Sequence, residues 1–207
     1  MPHTHIKFCG LTRAEDVRLA VELGVDYIGL VFAPRSPRKL LLGQARMLRD
    51  LVPGHITVVA LVMDNPASDV QGIIENVQPD LLQFHGSEDE AFCASFGKPF
   101  FKAIAMGDDP EAAVRQIEQF PSASGFLFDG HGAGEQGGSG KRFDWRKMPH
   151  TTERPFLLAG GLTADNVQLA IATAQPWGVD VSSGIETAPG IKDAAKMRAF
   201  VQAARTA

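Results

Sequence analysis

Short apolar runs recur along the chain, and amphipathic stretches separate them. The runs at residues 6–9, 27–32, 57–62, 81–84, 100–103, 125–128, 156–159 and 179–181 read as strands. Several are apolar almost without a break, as expected of parallel strands covered on both faces. Helical spacing runs through residues 43–51, 67–77, 88–96, 110–120, 163–174 and 193–204. Pro110 suits a first helical turn. Near the start, Thr12 and Glu15 have the spacing of a capping box, followed by Val17, Leu19, Ala20 and Leu23 on one helix and Gly24 at its end. Strand and helix thus alternate about eight times. That alternation predicts an α/β protein folded as a closed (β/α)8 barrel, for which 207 residues is a small example; a doubly wound open sheet is the competing arrangement. No linker or composition break divides the chain, so one domain over residues 1–207 is expected.

Composition narrows the function more than the fold. Hydrophobic content of 44% and charged content of 21% are ordinary for a globular domain. With a net charge of −4 and dispersed basic residues, there is no electrostatic footprint for nucleic acid. The apolar runs are too short to span a bilayer as helices. The segment before the first strand has neither a basic leader nor an apolar stretch, so a cytoplasmic protein with free thiols is expected. Its two cysteines have neither disulfide-framework nor zinc-site spacing. His3 and His5 have no further ligands nearby. Cys93 lies among Ala91, Phe92 and Phe96 and reads as core. The G-x-G-x-x-G match at residues 132–137 opens no helix, and Gly140-Lys141 lacks the upstream glycine and the following Ser or Thr of a P-loop.

Chemistry is expected just past the strand ends, where the loops of a barrel converge. Cys9 ends the first strand, and alternation puts Lys7 on the same face, where a cation favours the thiolate. A cysteine there could equally be a small hydrophobe of the core. Arg35 and Arg38 follow the second strand in a loop held by two prolines; arginine suits a carboxylate, although a solvated surface role is common for so basic a loop. Gln83 and His85 close the fourth strand, where His85 would contact substrate or make a structural hydrogen bond. Asp129 closes the sixth, either capping a turn or serving as a general acid. Gly160-Gly161 and Ser182-Ser183-Gly184 follow the seventh and eighth strands, the usual place for a phosphate, although glycines there can simply make tight turns. Residues 130–140 hold six glycines and read as a mobile loop.

Taken in order, the pieces Lys7-Phe8-Cys9-Gly10-Leu11-Thr12, Gln83-Phe84-His85-Gly86, Phe128-Asp129, Leu158-Ala159-Gly160-Gly161-Leu162, Val179-Asp180-Val181-Ser182-Ser183-Gly184-Ile185-Glu186 and Pro189-Gly190 with Lys192-Asp193 resemble the phosphoribosylanthranilate isomerases. Similarity runs from residue 6 to the C-terminal helix. The resemblance implies a cofactor-free, metal-free isomerase of tryptophan biosynthesis that performs an Amadori rearrangement on a small phosphosugar substrate. It assigns Cys9 as general base and Asp129 as general acid. It places Arg38 on the anthranilate carboxylate and the phosphate on Gly160, Gly161, Ser183 and Gly184. Asp180 then approaches the sugar, His85 lines the pocket, and the glycine loop closes with Lys141 near its hinge. Monomer or homodimer is left open by the sequence, and from charge and run length no nucleic-acid or membrane partner is expected. An isomerase of histidine biosynthesis would favour a carboxylate in place of Cys9. Indole-glycerol-phosphate synthase would need a lysine acid, for which Lys102 is the candidate. A non-catalytic phosphosugar-binding barrel would need neither Cys9 nor Asp129.

Overall fold

Alternation along each strand divides its side chains between two cores. In the computed structural model, which describes residues 4–106, 110–130, 144–148 and 154–207, eight parallel strands close into a barrel in chain order. They are β1 (His5–Cys9), β2 (Tyr27–Val31), β3 (Thr57–Val62), β4 (Leu81–Phe84), β5 (Phe100–Ala105), β6 (Gly125–Asp129), β7 (Phe156–Leu158) and β8 (Gly178–Val181). Pairing of β1 with β8, in register from His5 opposite Gly178 to Phe8 opposite Val181, closes the ring and excludes the open sheet. Outward residues such as Ile6, Phe8, Ile28, Val58 and Phe126 join the helices in the larger core. Inward residues Val59, Leu81, Phe101, Leu127 and Leu157 pack with Tyr27 and Trp177 to fill the floor.

The helices are α1 (Ala14–Glu22), α2 (Leu42–Arg49), α3 (Ala67–Val77), α4 (Glu90–Ala94), α5 (Pro110–Glu118), α6 (Val167–Ala174) and α7 (Ala194–Arg205). Between β8 and α7 a short hairpin, β9 (Glu186–Ala188) and β10 (Ile191–Lys192), folds over the end of the barrel. A 3-10 turn at Trp145–Lys147 lies between β6 and β7. Among the described residues, no helix is long and apolar enough to cross a membrane.

Three helix starts differ from expectation, each because a side chain bonds elsewhere. Thr12 does not cap α1: its hydroxyl donates to the carbonyl of Gly190, and the helix begins at Ala14. α4 begins at Glu90 rather than 88, because Asp89 caps it by accepting from the Phe92 amide at 2.8 Å. Glu88 instead turns inward and accepts from the amides of Asp64 and Gly86. Asn166 accepts from the Thr163 amide and donates to the Gly161 carbonyl, holding that segment as a loop until Val167.

Candidate active site

At the carboxyl ends of the strands the interior opens into a cavity of about 350 Å³. Val31, Leu61 and Met63 supply an apolar wall; Cys9, Arg35, Arg38, Gln83, His85, Asp129, Asp180 and Ser182 supply the polar groups. A recess of about 40 Å³ adjoins it, lined by Gly160, Gly161, Ser183 and Gly184 and sharing Asp129, Asp180 and Ser182 with the larger chamber.

Cys9 and Lys7 project inward from β1 beside Gly29 of β2. A Cβ on Gly29 would sit 2.9 Å from the Cys9 Sγ and 3.2 Å from the Lys7 Nζ, so glycine makes the room both side chains occupy. The β1–β8 register sets Lys7 opposite Asp180, and the Nζ donates to the Asp180 Oδ1 at 2.7 Å. Lys7 is completely buried. Burial opposes its charge, but Asp180 and the neighbouring thiol outweigh it and keep the ammonium above its ordinary value. The Cys9 thiol moves the other way from the sequence expectation. Burial raises it, and the opposing pull of Lys7 and Lys192 does not reverse that direction.

Opposite Cys9, a relay of inward side chains leads to Asp129. The Gln83 Nε2 lies 3.0 Å from the His85 Nδ1, and the His85 Nε2 lies 3.4 Å from the Asp129 Oδ2. The Gln83 amide nitrogen thus faces Nδ1, and Nε2 faces the Asp129 carboxyl group.

Arg38 reaches the cavity from the loop after β2, but its guanidinium is already engaged. Nε donates to the Glu186 Oε1 at 2.8 Å and Nη2 to the Oε2 at 2.6 Å, a bidentate buried pair. Glu186 Oε1 also accepts from the Lys192 Nζ at 2.8 Å. Lys192 in turn donates to the carbonyls of Cys9 at 2.7 Å and Ser182 at 3.1 Å. Burial would raise the Glu186 carboxyl, but Arg38 and Lys192 hold it below the usual range. Burial pushes the Lys192 ammonium down, against the pull of Glu186.

In the recess, Gly160 and Gly161 take positive φ values of 90° and 62°. A Cβ on Gly184 would overlap the carbonyl of Leu162. Glycine at these positions thus permits the positive φ values and the close approach of the Gly184 and Leu162 backbones that shape the recess.

A family model for N-(5'phosphoribosyl)anthranilate isomerase matches residues 6–203. The N-(5'-phosphoribosyl)anthranilate isomerase of Xanthomonas campestris pv. campestris strain 8004 is 53% identical over 210 residues, covering 99% of this chain and 94% of that one. The chain belongs to the phosphoribosylanthranilate isomerase family. It is accordingly an enzyme, an isomerase built as a (β/α)8 barrel. The phosphoribosylanthranilate isomerase of Thermotoga maritima superposes with a TM-score of 0.86 at 30% identity, covering 99% of this chain and all of that one. Another isomerase of the family, solved with reduced 1-(o-carboxyphenylamino)-1-deoxyribulose 5-phosphate, superposes at 0.83 with 28% identity over 99% of this chain and all of that one. Monomers generated from the dimeric Thermotoga maritima protein superpose at 0.81 with 27% identity over the same shares.

For this isomerase the mouth brings together Cys9, Arg38, His85, Asp129, Asp180 and the two glycine turns singled out in the sequence. Lys102 does not join them. Its Nζ leaves the barrel for the helix layer, 2.6 Å from the Gly86 carbonyl, 3.1 Å from Glu88 and over the Phe120 ring, so the synthase reading loses its acid. Cys93 is core as expected, and burial pushes its thiol up to about 12. His5 lies at the floor, stacked on Trp177 and 3.2 Å from Asp26. Most of the glycine loop and Lys141 lie outside the described residues. Among those described, no group of three or more His, Cys, Asp or Glu side chains is arranged to hold a metal ion. Sequence reasoning missed Glu186 and Lys192 as site residues. The signal available was an acid and a base flanking a Pro-Gly turn, the spacing of a hairpin whose ends face each other.

Proposed function

We propose that the chain converts N-(5'-phosphoribosyl)anthranilate to 1-(2-carboxyphenylamino)-1-deoxyribulose 5-phosphate, the isomerisation step of tryptophan biosynthesis. One observation carries the assignment of roles: Cys9 and Asp129, from the ends of β1 and β6, open onto one cavity, and that cavity continues into a phosphate-sized recess. In this reading the anthranilate ring lies along Val31, Leu61 and Met63 with its carboxylate toward Arg38. The phosphate lies on the backbone of Gly160, Gly161, Ser183 and Gly184. The ribose then spans the space between, beside Asp180 and His85.

Asp129, protonated, gives its proton to the ring oxygen as the anilino nitrogen pushes open the C1–O bond, leaving an iminium ion. Cys9, as thiolate, takes the proton from ribose C2, and the electron pair forms the enolamine. Protonation at C1 and loss of the C2 hydroxyl proton give the ketone. Reactant and product are isomers and every step moves a proton, so the chemistry asks for an acid and a base and for no electron carrier. Burial opposes the thiolate while Lys7 and Lys192 favour it, and these two lysines are the groups that support Cys9 as base. General acid and base each contribute roughly 10²–10⁴-fold, and positioning of the two substrate ends supplies the rest. The protein acts on a small phosphosugar in the cytoplasm, as a monomer or homodimer, without nucleic acid or membrane.

Mixing the purified protein with freshly made substrate and following the loss of anthranilate fluorescence tests the reading. Loss well above the uncatalysed background is expected with no added metal or cofactor. A folded protein that binds the reduced product analogue yet gives no such loss is a binding barrel, and the catalytic roles fall.

A further inference from the structure

Three buried charges meet behind the mouth, and of these only Arg38 opens onto the cavity. Glu186 and Lys192 stand behind it on the hairpin of β9 and β10. We infer that Glu186 is a positioning residue that fixes the Arg38 guanidinium for the substrate carboxylate, with Lys192 anchoring Glu186 to the strand end that carries Cys9. The inference rests on the reading of Arg38 given above.

The hydrogen bonds divide the labour. Two of the five N–H groups of Arg38 go to Glu186, which fixes the plane and rotation of the fork and leaves the others to serve a ligand. An arginine free on a loop loses rotamer freedom whenever a ligand binds; one already clamped does not. Lys192 has no such surplus. Its three protons are accounted for by the Cys9 carbonyl, the Ser182 carbonyl and Glu186, so it ties elements together rather than meeting a ligand. Glu186 Oε1 takes a further bond from the Gly190 amide at 3.2 Å, which secures the carboxylate to the turn of its own hairpin. One carboxylate between two cations leaves the cluster with a net positive charge. The clamp therefore orients Arg38 without cancelling its attraction for an anion. The same ammonium touches the backbone of the proposed base and the carboxylate behind the proposed anthranilate anchor, so the two sites share one frame.

The test compares two competitive inhibitors, the reduced product analogue, which carries the carboxylate, and ribulose 5-phosphate, which lacks it. Glu186→Gln is expected to weaken the analogue by roughly ten- to a hundredfold, the range for losing a charge-assisted clamp, and to leave ribulose 5-phosphate unchanged. KM is expected to rise more than kcat falls. Arg38→Met with Glu186→Gln together should be no worse than Arg38→Met alone, since Glu186 acts through Arg38. Glu186→Asp, which keeps the charge but shortens the reach, is expected to give an intermediate loss for the carboxylated ligand only, and it carries the test if the glutamine variant does not fold. Equal weakening of both inhibitors marks a merely structural role and overturns the inference. So does a Glu186 variant that binds the analogue normally while Arg38→Met does not. If Arg38→Met itself binds the analogue normally, the reading of Arg38 fails first, and this inference with it.

Discussion

The floor and the mouth of the barrel are cut from the same strands, yet they are held by different forces. Along β4 the inward positions run Leu81, Gln83 and, just past the strand, His85; along β6 they run Leu127 and then Asp129. At the floor, Phe101, Leu157 and their neighbours interlock with Tyr27 and Trp177, and burial and fit hold them. At the mouth, inward polar groups are held by specific partners: Lys7 by Asp180, His85 by Gln83, Arg38 by Glu186. A buried charge stripped of its partner is strongly destabilising, so the mouth depends on each pairing in a way the floor does not. The floor can supply stability without chemistry. The mouth can hold reactive groups because its buried charges already have partners within the fold.

The largest expected effect separates the two regions by activity. Cys9→Ser and Asp129→Asn should each lower kcat by about 10²–10⁴-fold, measured by fluorescence loss, while the thermal midpoint stays near that of the parent protein. Near-normal turnover in either variant would break the division. Phe101→Ala is the mirror image. It should cost about 3–5 kcal/mol in urea denaturation and leave kcat per folded molecule unchanged. Gly29→Ala probes the boundary. Its Cβ, 2.9 Å from the Cys9 Sγ, should displace the base and cut kcat about ten- to a hundredfold with little change in KM.

The smallest effect sharpens the electrostatics of the mouth. Burial raises the Cys9 thiol above its ordinary value of 9.0, so the thiolate fraction at pH 8 is below that of an exposed cysteine and grows as pH passes 9. Alkylation of Cys9 by iodoacetamide, located by peptide mapping, should follow that rise in the ligand-free protein. A rate that levels off below pH 9 would mean that Lys7 and Lys192 outweigh burial.

Several side chains depart from their local pattern because a partner lies far away in the chain. Thr12 has every local feature of a cap, but the Gly190 carbonyl takes its hydroxyl. Glu88 lies on the helical side of its segment by spacing, yet Lys102 and two loop amides draw it inward. The local pattern pairs Lys7 with Cys9, and the family resemblance sets Asp180 by the sugar; that the two also bind each other depends on the register with which β8 meets β1. Glu186 and Lys192 look like solvated charges around a turn until the hairpin folds them beneath Arg38.

Apolar periodicity by itself determined the strands and their alternation with helices, because a period of two or of 3.6 is a local property that burial reads directly; closure into a barrel rather than an open sheet rests on the pairing of β1 with β8. It also determined which strand ends carry a thiol, a carboxylate, a histidine and paired glycines. Only the tertiary structure decided the charge state and the partner of each. Ring closure brings Asp180 to Lys7 and the hairpin brings Glu186 to Arg38, and removal from water then sets how strongly each charge feels the next. Those interactions depend on distance and desolvation across residues 148 and 173 positions apart in the chain, and no local pattern encodes either.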